Sequence, residues 1–305
     1  MLLLTDAVRF CYYLKDIFYR NNNISGTQAN ELQDRAITAR VEMQENIYIQ
    51  EAVKLEINNN TENNITENIN AAGSGAAAMP EFVGTTVLDT IGLVIPGIDD
   101  HLREKMKLKG SYKCVGLISS RTGAAGQIVA VDDAVKETNT EVVSIMLPRD
   151  TKGWGGHGNY IVIGADTVAD ARRAVEIALE RTKRNSGEIY LNDAGHLEMA
   201  FSASADQAIG KVFGIAPGRA FGFMCGSPAA IGLVMADLAV KSADVEIARY
   251  MTPDEGTSHS NEVILAVTGD TSAVRTAVIT AREAGKKLLT AMGGDIRTFG
   301  DPYIL

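Results

Sequence analysis

Cysteine is scarce in this sequence. Cys11, Cys114 and Cys225 are the only three, they lie far apart, and their number is odd. That excludes a disulfide framework and suits a reducing compartment. Positive charge is also in short supply, with 29 Lys and Arg against 38 Asp and Glu and a formal net charge of −9. Without a basic run, neither a nucleic-acid partner nor an anionic membrane surface is expected. Aromatic residues are few, at 6 %, whereas Gly and Ala are plentiful, so the elements can approach one another closely.

Long apolar runs are missing too. Met1-Leu-Leu-Leu4 starts like a signal peptide, but Asp6 and Arg9 interrupt it and no small-residue cleavage site follows. The stretch from Ala220 to Val240 has the length of a membrane span. It contains Gly226, Pro228, Gly232 and Asp237, however, and its twin from Val115 to Val135 carries Arg121, Asp132 and Asp133. A soluble, cytoplasmic protein is expected.

That twin is the main positive signal. Gly126-Gln-Ile-Val-Ala-Val-Asp-Asp-Ala-Val-Lys136 is echoed by Gly232-Leu-Val-Met-Ala-Asp-Leu-Ala-Val-Lys241, with Asp132 and Lys136 aligned on Asp237 and Lys241, 105 residues on. Downstream, Glu141, Pro148 and Gly164 align with Glu246, Pro253 and Gly269. Such a displacement is too long for a solenoid and right for a duplicated domain. The predicted organisation is an N-terminal extension and linker over 1–79, a first domain over 80–187 and a second over 188–305.

The extension holds helix-forming stretches, then an Asn-rich run (58–70) and the connector Ala71-Ala-Gly-Ser-Gly-Ala-Ala-Ala78. It reads as a tethered tail or a docking segment for a partner. In the first copy, strands are predicted near 82–87 and 91–96, with a helix capped by Asp99 and running to about Lys109. Next come a strand over 115–119 and a helix over 125–138 with Ile128, Val131 and Val135 on one face. Strands over 142–147 and 160–164 follow, then a helix over 167–184 with Val168, Ala171, Val175 and Leu179 inward. The second copy repeats this order, and its last helix, 271–291, turns Val274, Val278, Ala281 and Leu288 inward. A small mixed sheet with helices packed on it, α/β in class with an α+β sandwich character, is the expected fold.

Gly269-Asp-Thr-Ser-Ala-Val-Arg-Thr-Ala-Val278 and Asp237-Leu-Ala-Val-Lys-Ser-Ala-Asp-Val245 resemble the two signature stretches of bacterial microcompartment (BMC) shell domains. The lead-in before the first strand resembles the circularly permuted form of that domain. Phe82-Val-Gly-Thr85, Leu147-Pro-Arg-Asp-Thr-Lys-Gly153 and Asn192-Asp-Ala-Gly-His-Leu-Glu-Met199 further resemble the large tandem-domain shell proteins of propanediol- and ethanol-utilising compartments. The resemblance covers residue 80 to Leu305. It implies a trimer of tandem domains, a pseudo-hexamer that tiles with other shell proteins into a sheet around aldehyde-producing enzymes. Narrow channels would pass small alcohols, diols or aldehydes. The N-terminal extension would be the segment available to dock an encapsulated enzyme. The family's tile-edge lysine maps onto Lys136 and Lys241, although Glu137-Thr138 departs from the small residues usual after it.

Candidate channel or axial residues come from three stretches. The loop 148–158 offers Lys152, Gly153, Trp154 and His157, and its counterpart 253–260 offers Glu255 and His259. Asp193, His196 and Glu198 cluster in the third and read as a polar lining between the domains. The loop 148–158 lacks phosphate-loop spacing and does not open a helix. Gly123-Ala-Ala-Gly126 is too short for a dinucleotide fingerprint, and its twin Pro228-Ala-Ala-Ile231 loses both glycines. The four histidines have no zinc-type spacing. Cys225, on an apolar strand, reads as a small core residue and not as the pore-loop cysteine that holds an iron–sulfur cluster in some relatives. With no cofactor motif, metal set or nucleophile–base pair, no catalysis is predicted. The rival reading is a tandem αβ sensor or enzyme with a small molecule bound between its domains.

Overall fold

A computed structural model describes residues 80–107, 112–148, 158–257 and 259–305, all within one structural unit. The first copy starts with a hairpin, β1 (Glu81–Thr86) and β2 (Thr90–Ile95), followed by the short helix α1 (Asp100–Lys105). Asp99 caps α1 as expected, its Oδ1 accepting from Leu102 N at 2.9 Å, but the helix stops at Lys105. After it come β3 (Cys114–Ser120), α2 (Ala125–Lys136), β4 (Thr140–Met146), β5 (Asn159–Ala165) and α3 (Val168–Asn185).

A 3₁₀ turn (Ser186–Glu188) leads into the second copy. There β6 (Ile189–Asn192), β7 (Gly195–Ser202), α4 (Gln207–Phe213), β8 (Ala220–Ser227), α5 (Ala229–Ser242), β9 (Val245–Met251), β10 (Val263–Gly269) and α6 (Thr271–Gly293) repeat the order. A terminal strand, β11 (Arg297–Thr298), is added at the end.

Each copy forms one antiparallel sheet. The first has the order β1-β2-β3-β5-β4 and the second β11-β6-β7-β8-β10-β9. Even the irregularities repeat: a bulge between Val142 and Ser144 in β4 has its counterpart in β9 at the same displacement. α3 and α6 pack on equivalent sheet faces through glycines. A Cβ on Gly116 would lie 2.8 Å from Val175 Cγ2, and one on Gly222 would lie 2.7 Å from Val278 Cγ2. The lack of a side chain there is what lets helix and sheet meet.

Among the described residues two large buried cores result, with a small third cluster of Leu88, Ile189 and Leu191, and only one of the three belongs to a single copy. Leu197, Met199, Met224, Leu265, Val274 and Leu289 fill the space between the second sheet and α6. The other core joins Ile118, Ile128, Val131, Val175 and Ile161 of the first copy with Ala200, Phe213, Phe223, Cys225 and Ile264 of the second. The reverse face of the second sheet is therefore covered by the first copy. α2 is consequently buried on nearly every side, including Ile128, Val129, Asp132 and Val135. A single apolar stripe was expected, and this departure comes from packing on the second copy. Two inward assignments also differ. Val168 is 37 % exposed because it starts its helix, and Leu289, not Leu288, points inward, eight residues after Ala281.

The glycine contacts are testable. Gly222→Ala should overpack the sheet–helix layer by about 1–3 kcal/mol. At about 2–4 °C per kcal/mol for a chain of this size, calorimetry should show melting lowered by roughly 2–12 °C.

Candidate functional site at the seam between the copies

The seam is held by carboxylates that reach across it. Asp132, fully buried on α2, accepts from Asp206 N at 2.9 Å and Ile209 N at 3.1 Å. These amides open α4, where backbone donors are otherwise unsatisfied and the helix dipole favours an anion. Burial pushes the Asp132 carboxyl above its usual range, countered by Lys136 and by the two amides. Lys136 Nζ lies 2.8 Å from Asp132 Oδ2 and also donates to Ser204 O. Its ammonium thus has partners within the chain, and its side chain is still 27 % exposed. The physical reason is that a buried carboxylate needs a nearby cation. Lys241 is presented differently: its side chain is 68 % exposed and meets only the half-exposed Asp237 on its own helix, at 2.6 Å.

Glu198 makes the reciprocal crossing. It stands on β7 of the second copy, and its Oε1 accepts from Ala124 N at 3.2 Å and Ala125 N at 2.9 Å, at the start of α2. Burial raises its pKa, and those two amide bonds pull it back down. Around it is a cavity of about 30 Å³, lined by Ala124, Ala125, Phe223, Cys225, Met251 and Glu262 among others. This is room for about one water molecule.

His196, Cys225 and Glu262 converge beside Glu198. The β7–β8 ladder sets Glu198 directly opposite Cys225, and His196, two residues back, shares that face. Glu262 comes immediately before β10 and is 1 % exposed. Its Oε2 lies 3.4 Å from His196 Nε2 and 3.5 Å from Cys225 Sγ. Cys225 is buried, as its reading as a core residue expects. Burial first, and then Glu262 and Glu198, push its thiol well above the ordinary value. That is the reverse of the electropositive setting that makes a cysteine reactive.

The other candidates lie elsewhere. Asp193 sits on the β6–β7 turn with its side chain 99 % exposed, 3.9 Å from Arg297, and does not join the cavity. Glu255 and His259 are exposed on the loop after β9, where Thr252 N donates to Glu255 O and His259 N to Pro253 O. Lys152, Gly153, Trp154 and His157 fall outside the described residues, as does the extension 1–79. Glu262 went unnoticed in the sequence because it is 66 residues from His196 and only strand pairing joins them.

The fold defines a class of duplicated α/β building blocks whose two copies share a core. Residues 114–193 and 220–294 match the family model described as BMC domain. The chain belongs to the BMC-domain family, with two such domains in tandem. It is 48 % identical over 243 residues to the bacterial microcompartment shell protein PduB of Citrobacter freundii, spanning 80 % of this chain and 90 % of that protein. The crystal structure of a trimeric bacterial microcompartment shell protein PduB has a TM-score of 0.71 and 47 % identity, covering 73 % of this chain and 99 % of that one. EtuB from Clostridium kluyveri gives the same score and identity over 73 % and 98 % of the two chains. No helix among the described residues is long and apolar enough to cross a membrane.

The double crossing makes a stability prediction. Glu198→Leu should leave two buried amides without an acceptor and cost about 1–3 kcal/mol. Glu198→Gln, which keeps an acceptor oxygen, should cost less. Chemical denaturation of the two variants in parallel reads the difference.

Proposed function

We propose that this chain is a structural protein of a bacterial microcompartment shell, a homotrimeric tile whose two domains, 80–187 and 188–305, supply six-sided geometry from three chains. One comparison within the molecule carries this reading. Ile128, Val129 and Val142 of the first copy are at most 2 % exposed at the seam. Their counterparts 105 residues on, Leu233, Val234 and Ile247, are 53 %, 44 % and 57 % exposed, and Tyr250 beside them is 45 % exposed. The second copy thus presents in water the surface that the first copy buries against its neighbour.

The complementary surface is also present. The second sheet's reverse face is covered by α2, whereas the equivalent face of the first sheet leaves Ile91, Leu93, Leu117 and Tyr160 only half-buried. A donor surface at one end and an acceptor surface at the other make a head-to-tail contact between copies of this chain. If the seam inside the chain turns one domain by a sixth of a circle onto the next, the ring closes at three chains. The PduB and EtuB relatives support the same assembly. Asp237 would then take the role of Asp132, accepting from the start of α1 in the next chain.

Substituting Ile247→Arg or Leu233→Arg should therefore convert trimers to monomers in analytical ultracentrifugation while leaving the circular dichroism spectrum intact. A variant that remains trimeric removes the seam argument.

Lateral growth of tiles into a sheet is a separate contact, for which Lys136 and Lys241 are the proposed edge residues, Lys241 being the more exposed. Lys241→Glu is expected to abolish flat arrays in electron micrographs while trimers persist. Dissociation to monomers would instead assign Lys241 to the ring seam, the place Lys136 takes inside the chain. We also propose that small alcohols, diols or aldehydes pass at the seam when its cavity widens, with Glu198 as polar lining and His196 beside it. Glu255, His259 and the loop 152–157 are the candidates for channel mouths or the ring axis, and the extension 1–79 for docking an enclosed enzyme. A crystal soaked in a short diol should show the cavity opened around a diol bonded to Glu198, since the closed cavity has room for about one water; a cavity that keeps its size at saturating diol would overturn that passage.

A further inference from the structure

We propose that His196, Cys225 and Glu262 form a binding site for a divalent transition metal of the zinc class. The three donors are of the types that zinc takes: an imidazole nitrogen, a sulfur and a carboxylate oxygen. They lie within 4.8 Å of one another. All three residues are at most 2 % exposed.

The two separations to Glu262 fit a tetrahedral ion. Zinc bond lengths place a nitrogen and an oxygen ligand roughly 3.4 Å apart, and a sulfur and an oxygen ligand about 3.6 Å apart. The measured values are 3.4 Å for His196 Nε2 to Glu262 Oε2 and 3.5 Å for Cys225 Sγ to Glu262 Oε2. The adjoining cavity of about 30 Å³ has room for one water, the fourth ligand of a site with three protein donors. Glu198, already bonded to Ala124 N and Ala125 N, stays outside the set as a neighbouring acceptor.

The duplication supplies an internal comparison. Where the second copy has Glu198 opposite Cys225, the first has Ile91 opposite Ser119. At this pair of positions the sulfur ligand thus belongs to one copy, and repeated architecture alone does not account for it. Bound metal would join β7 and β8 to the end of the loop 252–262, fixing that loop over the seam cavity.

This inference stands apart from the shell reading, because it is read on metal content and not on assembly. Full-length protein would be stripped with a chelator, loaded with Co²⁺ and desalted. One retained cobalt per chain is expected, with a thiolate-to-cobalt charge-transfer band in the near ultraviolet and the intense visible bands of a tetrahedral ion. Cys225→Ser should lose the charge-transfer band, whereas Cys11→Ser and Cys114→Ser should keep it. The same protein loaded with Zn²⁺ should melt higher than the stripped form. Loss of all cobalt on desalting from the unsubstituted chain overturns the proposal, leaving the contacts as an ion pair and a thiol hydrogen bond. An unchanged spectrum in Cys225→Ser overturns it equally, and Glu262→Gln, expected to weaken retention at least tenfold, gives a check should the cysteine variant not fold.

Discussion

The second sheet has two apolar faces, and its long helix α6 covers only one of them. Leu197, Met199 and Leu265 are covered by α6, but Ala200, Phe223 and Ile264 point the other way. Burying such a face is worth about 25 cal/mol for each Å² removed from water, so it does not stay bare. The second copy's short α4 covers part of that face through Phe213, and the first copy's α2 joins it there in one core. α2 is therefore buried on nearly every side, and the two domains share one core.

Sharing a core brings polar backbone into the interior, where unpaired groups are costly. The seam answers with buried carboxylates at two helix starts: Asp132 from the first copy onto α4, and Glu198 from the second onto α2. Each desolvated carboxylate is compensated by amides, and Asp132 also by Lys136. The same device recurs where the chain closes. Glu188, at the hinge between the copies, accepts from Tyr303 N at 2.8 Å, Ile304 N at 2.7 Å and Tyr190 Oη at 2.9 Å, with Arg282 alongside. Three acidic residues thus set how the halves and the C-terminal segment are fixed.

The duplication also explains why the two halves have diverged at equivalent positions. Leu233 and Ile247 retain apolar side chains although they are more than half exposed within one chain. Monomeric proteins seldom keep such a contiguous patch without a partner. A repeat whose internal seam is visible indicates what the outer surface needs. The cavity next to Glu198 shows the opposite tendency: Glu198 and Cys225 stand where the first copy has Ile91 and Ser119, so the two seams of a ring would differ at that pair.

Much was legible without coordinates. Repetition of Asp-x-x-x-Lys, strand-length apolar runs and the Asp99 cap are local signals, carried by residues a few positions apart, and they located both copies and nearly every helix and strand. The family likeness rests on the same local stretches. What stayed hidden depends on contacts between distant segments. That Lys136 is drawn inward while Lys241 remains exposed, and that Glu262 meets His196 and Cys225, follows from sheet pairing and from one copy lying on the other. Periodicity reports which side of a helix is apolar; it carries no information about what will be laid against the remaining sides, and that is decided only when the chain packs.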